Sequence, residues 1–166
     1  MTVIINGTDG ITFPNSTEQA SAGSVLQVVN AFTTTEATTA STTFADTGLT
    51  ATITPKFSTS KILVLAQVNG IYRDEGGATY FQSRLLRGAT NILNFEAIAA
   101  YLSNPANGST GVGGSSITYL DSPATTSATT YKVQYASGAG VARIHVQTPA
   151  SGQASASTIT LMEIAQ

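Results

Sequence analysis

Short runs in which apolar and polar residues alternate, separated by clusters of small and turn-forming residues, recur along the whole chain. In residues 49–54, Leu49, Ala51 and Ile53 alternate strictly with threonines, which is the period of a strand with one buried face. Residues 94–102 could hold two helical turns, although their pattern favours a strand. Repeated short strands predict an all-β fold, an antiparallel β-sandwich of nine or ten strands.

The strongest predicted strand covers residues 60–73. The even positions from Ile62 to Val68 are apolar, and so are Leu63 and Leu65 on the opposite side. A strand that is apolar on both sides is expected to be buried on both sides. We therefore expect part of the burial of this strand to come from sister subunits.

The composition is poor in charge. Asp, Glu, Lys and Arg make up 10% of the 166 residues, whereas about a quarter is usual. Only 7 of them are Lys or Arg and the net charge is -2, so a basic patch that could follow a phosphate backbone is not expected, and neither is a nucleic-acid partner. The absence of cysteine excludes disulfides and cysteine-based zinc sites.

The chain divides into two predicted parts, an arm in residues 1–22 and a domain in residues 23–166. The arm holds two short apolar runs, too short to fold alone, and it is expected to attach or to trimerise through Ile4, Ile5, Ile11 and Phe13. Its start has neither the basic region nor the long apolar region of a signal peptide. No apolar run is long enough to insert into a membrane.

No catalytic group, metal site or cofactor is predicted. The single histidine, His145, lies on the polar side of an alternating strand and is expected to form a hydrogen bond at the surface or at an interface. Carboxylates that could form an acid–base pair are far apart in sequence: Asp46, Glu96, Asp121 and Glu163. Two of them, Glu96 and Glu163, are expected to pair with one of three arginines: Arg84, Arg87 and Arg143.

Three polar loops, residues 73–77, 103–114 and 136–141, are the candidates for recognition, since long loops on rigid β-scaffolds often carry binding. Calcium needs more oxygen ligands than two adjacent acids supply, so Asp74 and Glu75 are interpreted as part of a solvated turn. The predicted contact residues in these loops are Arg73, Asp74, Glu75, Asn104, Asn107, Ser109 and Thr110.

Residues 5–19, INGTDGITFPNSTEQ, resemble a motif of bacteriophage tail fibres: an Asn-Gly turn followed by Gly-Ile-x-Phe-Pro-Asp-Gly-Thr-x-Gln. This chain has Asn15 and Ser16 in place of the Asp-Gly pair. The body is similar to small structural proteins of cyanophages and other aquatic phages, in residues 23–29, 44–55, 60–65, 84–88, 121–131 and 157–164.

The resemblance implies a homotrimer of jelly rolls, like the heads of tumour necrosis factor and C1q. It implies a virion protein that is made in the host cytoplasm. The leading hypothesis is a tail-fibre or receptor-binding module whose arm binds other virion proteins and whose loops contact a host glycan or protein. The alternative is a capsid decoration, or cement, protein, and the third and least favoured is a glycan-degrading enzyme, which would need a carboxylate pair in a cleft.

Overall fold

The computed structural model describes residues 4–6, 10–12, 18–19, 24–73, 77–99, 110–149 and 152–166. In these ranges the chain forms thirteen β-strands and no helix, which confirms the all-β prediction. The strands are β1 (Ile4–Asn6), β2 (Gly10–Thr12), β3 (Glu18–Gln19), β4 (Val25–Thr33), β5 (Ala37–Thr39), β6 (Ala45–Ile53), β7 (Lys61–Arg73), β8 (Phe81–Arg87), β9 (Thr90–Ala99), β10 (Thr110–Asp121), β11 (Thr129–Ser137), β12 (Ile144–Val146) and β13 (Ser157–Ile164).

The first three strands form a small antiparallel sheet in the order β1-β2-β3. Ile4 and Ile5 lie in β1 and Ile11 lies in β2, while Phe13 is outside the described residues. The attachment role of this segment stays a prediction.

A six-stranded antiparallel sheet is built around β7, the longest strand. One edge of β7 pairs with β10 along nearly its whole length. The other edge pairs with β13 over Lys61–Gln67 and then with β12 at Tyr72 and Arg73. Outside these two strands, β4 pairs with β13 and β5 pairs with β12.

The change of partner along β7 occurs at Asn69 and Gly70. The carbonyl of Asn69 accepts from Gln147 N at 2.9 Å, and the carbonyl of Gly70 accepts from Thr148 N at 3.3 Å. Gly70 has a φ of 62°, and a Cβ added there would lie 2.6 Å from Thr148 N. Only glycine tolerates both the positive φ and the close approach of Thr148 N. Gly70 therefore allows β7 to pair with β13 and then with β12 along the same edge.

The second sheet has four antiparallel strands in the order β6-β11-β8-β9. Inward-facing side chains of both sheets form a single apolar cluster, as expected for two sheets packed face to face. Its members are fully or almost fully buried: Leu49, Ala51, Ile53, Ile62, Val64, Ala66, Val68, Ile71, Phe81, Leu85, Tyr131, Val133, Tyr135, Ile144, Val146, Ile159 and Leu161. The predicted β-sandwich is therefore confirmed.

Strand directions give the sandwich two ends. Ser24 precedes β4, and its carbonyl accepts from Ala165 N at 3.0 Å, beside Ile164 and Lys61, which are paired at the start of β7. The residue pair Arg73–Thr110 lies at the far end of the same strand. Twelve residue steps at about 3.3 Å each separate these two ends by roughly 40 Å. We call them the arm end and the loop end.

Some local predictions were wrong. The sequence pattern did not predict β5, which pairs with β12. The strand β10 begins at Thr110, inside the segment predicted to be a loop. Residues 94–99 belong to β9, so the helical alternative is excluded there. Register shifts between β8 and β9 interrupt the regular alternation of side chains in β9, where Ala97 is exposed.

Candidate recognition end

The loop end gathers segments that are distant in sequence. β7 ends there, β8 begins there opposite the end of β11, and β10 begins there opposite Arg73. The described ends of the three predicted recognition loops, in residues 73–77, 103–114 and 136–141, therefore lie at one end of the sandwich. The segment between β5 and β6 joins them, because Ser137 N donates to Ser41 O at 3.0 Å.

Arg73 anchors the connection that follows β7. Its side chain is fully buried, and Nη1 donates to Gly77 O at 2.5 Å. The guanidinium thus holds the two ends of this connection together, and it lies inside the protein rather than at the predicted contact surface. Asp74 and Glu75, predicted contacts in the same turn, are outside the described residues.

Two buried hydroxyls connect the loops before β8 and after β11. Ser137 Oγ donates to Ala142 O at 2.8 Å. It must therefore accept from Thr79 Oγ1, 2.7 Å away, since a hydroxyl has a single proton. Thr79 Oγ1 in turn accepts from Ala139 N at 3.1 Å. Every donor in this chain has an acceptor, which fixes the two loops relative to each other.

Close packing adds to these hydrogen bonds. Gly138 N donates to Tyr80 O at 2.8 Å, and the Tyr80 ring lies against Gly138 so closely that an added Cβ would be 2.0 Å from it. The neighbouring Val141 is 56% exposed. The described part of this end is therefore a rigid platform that presents an apolar side chain to solvent.

His145, on β12 beside this platform, is hydrogen-bonded through Nδ1 to Glu36 Oε1 at 2.9 Å. The Tyr72 ring meets the imidazole edge to face, with 5.6 Å between ring centroids. The predicted hydrogen-bonding role of His145 is confirmed, and its partner fixes the link between β4 and β5.

The remaining predicted contact residues are placed as follows. Thr110 is the first residue of β10 and pairs with Arg73. Asn104, Asn107 and Ser109 are outside the described residues. Sequence reasoning missed Thr79, Tyr80 and Ser137, because their importance comes from contacts between loops that no local pattern encodes.

Three of the predicted carboxylates have separate partners in the described ranges. Asp46 lies 3.0 Å from Lys132 Nζ on the outer side of the four-stranded sheet, and Asp121 lies 2.8 Å from Arg87. Glu163 accepts from Gln27 and from the backbone amide of Lys56 rather than from the predicted arginine. Within the described ranges, no group of three or more His, Cys, Asp or Glu could hold a metal ion.

Nowhere in the described ranges is there a helix of the length and apolar character that crossing a membrane requires. Comparison of the chain with protein-family models and with curated protein sequences gives no match.

Proposed function

We propose that this chain is a non-enzymatic structural protein of a bacteriophage virion, a homotrimeric jelly-roll module of the tail-fibre or receptor-binding type. The N-terminal arm attaches to the particle and the loop end contacts the host surface. The observation that carries the proposal is the polarity of the sandwich. Ser24, the first described residue after the arm, lies at one end, and the described ends of the candidate recognition loops lie at the other.

The pairing of the main strands supports the jelly-roll assignment. Eight strands make up the two sheets apart from the short β5 and β12: β4, β6, β7, β8, β9, β10, β11 and β13. They pair as first with eighth, second with seventh, third with sixth and fourth with fifth. This nested order is that of a long hairpin folded over into two sheets, as in a jelly roll.

The rigidity of the loop end supports a recognition role. Buried Arg73, the Thr79–Ser137 hydrogen bond and the Tyr80–Gly138 contact hold the loop bases before any partner arrives. A preorganised site loses less conformational entropy on binding. Three such ends on a trimer, repeated on one particle, would turn weak contacts into strong adsorption.

Immunogold labelling of particles that contain this chain tests the assignment. Label at the tail tip is the expected result, and label spread over the head would favour the cement protein instead. Hydrolysis of host polysaccharide by the purified protein would contradict the non-enzymatic role.

Adsorption of the purified protein to host cells tests the loop end directly. Val141→Asp changes an exposed side chain of this end and is expected to weaken adsorption at least tenfold. Thr52→Asp, on the outer side of the four-stranded sheet, is the matched control and should adsorb like the unchanged protein. Equal adsorption by both variants would show that the loop end does not contact the host surface.

A further inference from the structure

The outer sides of the two sheets differ in chemistry. The four-stranded sheet presents polar groups on β6 and β11, as usual for a sheet side in water. Lys132 Nζ lies 3.0 Å from the Asp46 carboxylate, and Thr52 and Thr130 share a hydroxyl hydrogen bond of 2.7 Å.

The outer side of the six-stranded sheet carries a row of apolar side chains across four strands. Leu120 on β10 pairs with Leu63 on β7, Leu63 pairs with Met162 on β13, and Met162 pairs with Val28 on β4. Paired residues share a side of the sheet, so the four side chains form a continuous band. Val28 is 55% exposed and Leu120 is 48% exposed.

The next two rows toward the loop end extend this surface without adding charge. Leu65 lies in the second row, and Phe32, which is 69% exposed, lies at the end of the third. Among the outward residues of the three rows none is charged, and the nearest cation along β7 is Lys61 at the arm end. We call these rows the apolar face: Leu120, Leu63, Met162, Val28, Thr118, Leu65, Thr160, Asn30, Ser116, Gln67, Thr158 and Phe32.

We propose that the apolar face is the contact surface for a second copy of this chain. A partner with charged groups at the contact would have to desolvate them, and this face offers no opposite charge to compensate for that cost. The chain itself supplies a matching surface, because only 10% of its residues are charged. Exposed apolar bands of this kind mark protein interaction sites.

The polarity of the sandwich fixes how the copies are arranged. The inference rests on the proposed homotrimer, in which every arm reaches the particle and every loop end reaches the host. A rotation axis parallel to β7 keeps all arm ends on one side, whereas an axis perpendicular to the strands would invert alternate copies. The apolar face therefore packs against the neighbour with the strands of both copies pointing the same way.

Sedimentation of charge variants tests the face. The unchanged protein is expected to sediment as a trimer, and Leu63→Glu should lower the sedimenting mass threefold. Thr52→Glu introduces the same charge on the outer side of the other sheet and should stay trimeric. Circular dichroism and thermal unfolding of both variants check that the sandwich remains folded.

Thiol labelling is a second test of whether the apolar face is covered, and it leaves the assembly intact. Since the chain has no cysteine, Thr118→Cys and Thr50→Cys each introduce a single reactive group, on the apolar face and on the opposite sheet respectively. Maleimide should label position 118 at least tenfold more slowly than position 50 in the assembled protein.

The outcomes separate this inference from the proposed function. A trimer in which Leu63→Glu still assembles and both thiols react alike would overturn the apolar face and leave the homotrimer intact. If the unchanged protein is a dimer and Leu63→Glu dissociates it, the apolar face is still the contact surface but the proposed homotrimer is wrong. If the unchanged protein is a monomer at micromolar concentration, both the proposed contact surface and the proposed homotrimer are wrong.

Discussion

Tyr131 Oη donates a hydrogen bond of 2.6 Å to Asp121 Oδ2, and this contact joins the two sheets of the sandwich. Tyr131 lies on β11 and Asp121 ends β10. Arg87 Nη1, on β8, donates to both oxygens of the same carboxylate at 2.8 and 2.9 Å. Burial and the hydrogen bond to Asp121 raise the pKa of Tyr131 well above its ordinary value, so its hydroxyl remains a donor throughout the neutral range.

Asp121→Asn is expected to lower the free energy of unfolding by about 2 kcal/mol, because the Arg87 charge loses its partner in a largely buried site. Urea unfolding at neutral pH measures the change. Asp46→Asn is the control, since the Asp46 side chain is 54% exposed, and ion pairs at the surface contribute at most about 1 kcal/mol. Equal effects of the two substitutions would show that the hydrogen bonds of Asp121 to Tyr131 and Arg87 stabilise the fold no more than a surface ion pair does.

Two tyrosines on β11 should respond in opposite ways to loss of the hydroxyl. Tyr135 is as deeply buried as Tyr131, but its Oη has no hydrogen-bond partner among the described residues. A buried polar atom without a partner destabilises a fold, so Tyr135→Phe should raise the free energy of unfolding by up to about 1 kcal/mol. Tyr131→Phe should lower it by about 1 kcal/mol, and thermal unfolding of both variants decides the sign.

The sequence pattern predicted those strands whose side chains alternate because one of their faces is buried. In β6, Leu49, Ala51 and Ile53 are buried on one side. In β7 the even positions from Ile62 to Val68 are buried, whereas Leu63 and Leu65, expected to be buried as well, are partly exposed in the single chain. The pattern missed β5, since Ala37–Thr39 has no apolar alternation and becomes a strand only by pairing with β12. It also missed the first part of β10, where Gly111, Gly113 and Gly114 are held by β7.

The candidate site was predictable only as a set of loops. Alternation says which residues lie on one face of a strand, but not which strands are neighbours or at which end a loop lies. The meeting of Thr79 with Ser137 therefore could not be foreseen. For the same reason, Glu163 was expected to bind an arginine, whereas the fold brings the amides of Lys56 and Phe57 to its carboxylate.

Glu163 should make stability depend on pH. Burial would raise its pKa, but hydrogen bonds from Gln27 and from the amides of Lys56 and Phe57 outweigh this and hold the pKa below its ordinary value. A carboxyl whose folded pKa is lowered stabilises the fold fully above the unfolded value, about 4.3. That contribution is lost as the pH falls through the folded pKa.

Glu163→Gln should lower stability at neutral pH and flatten its decline between about pH 5 and pH 2. Urea unfolding of the unchanged protein and of Glu163→Gln across this range measures the difference in their free energy of unfolding. The other carboxylates titrate in both proteins, so their contributions cancel in this difference. A constant difference between the two curves at every pH would contradict the role of the Glu163 charge.

Thr79→Val and Thr52→Val compare the same hydroxyl contact in two environments. Thr79 and Ser137 are buried and their oxygens are 2.7 Å apart, while Thr52 and Thr130 have the same separation at the surface. Loss of the Thr79 hydroxyl leaves Ala139 N without its acceptor, so we expect a cost of about 1–3 kcal/mol. Thr52→Val should change stability by less than about 0.5 kcal/mol, because water replaces the lost partner. Hydrogen exchange at Ala139 should accelerate in Thr79→Val alone, and unchanged protection there would mean that the two hydroxyls do not hold the loop end together.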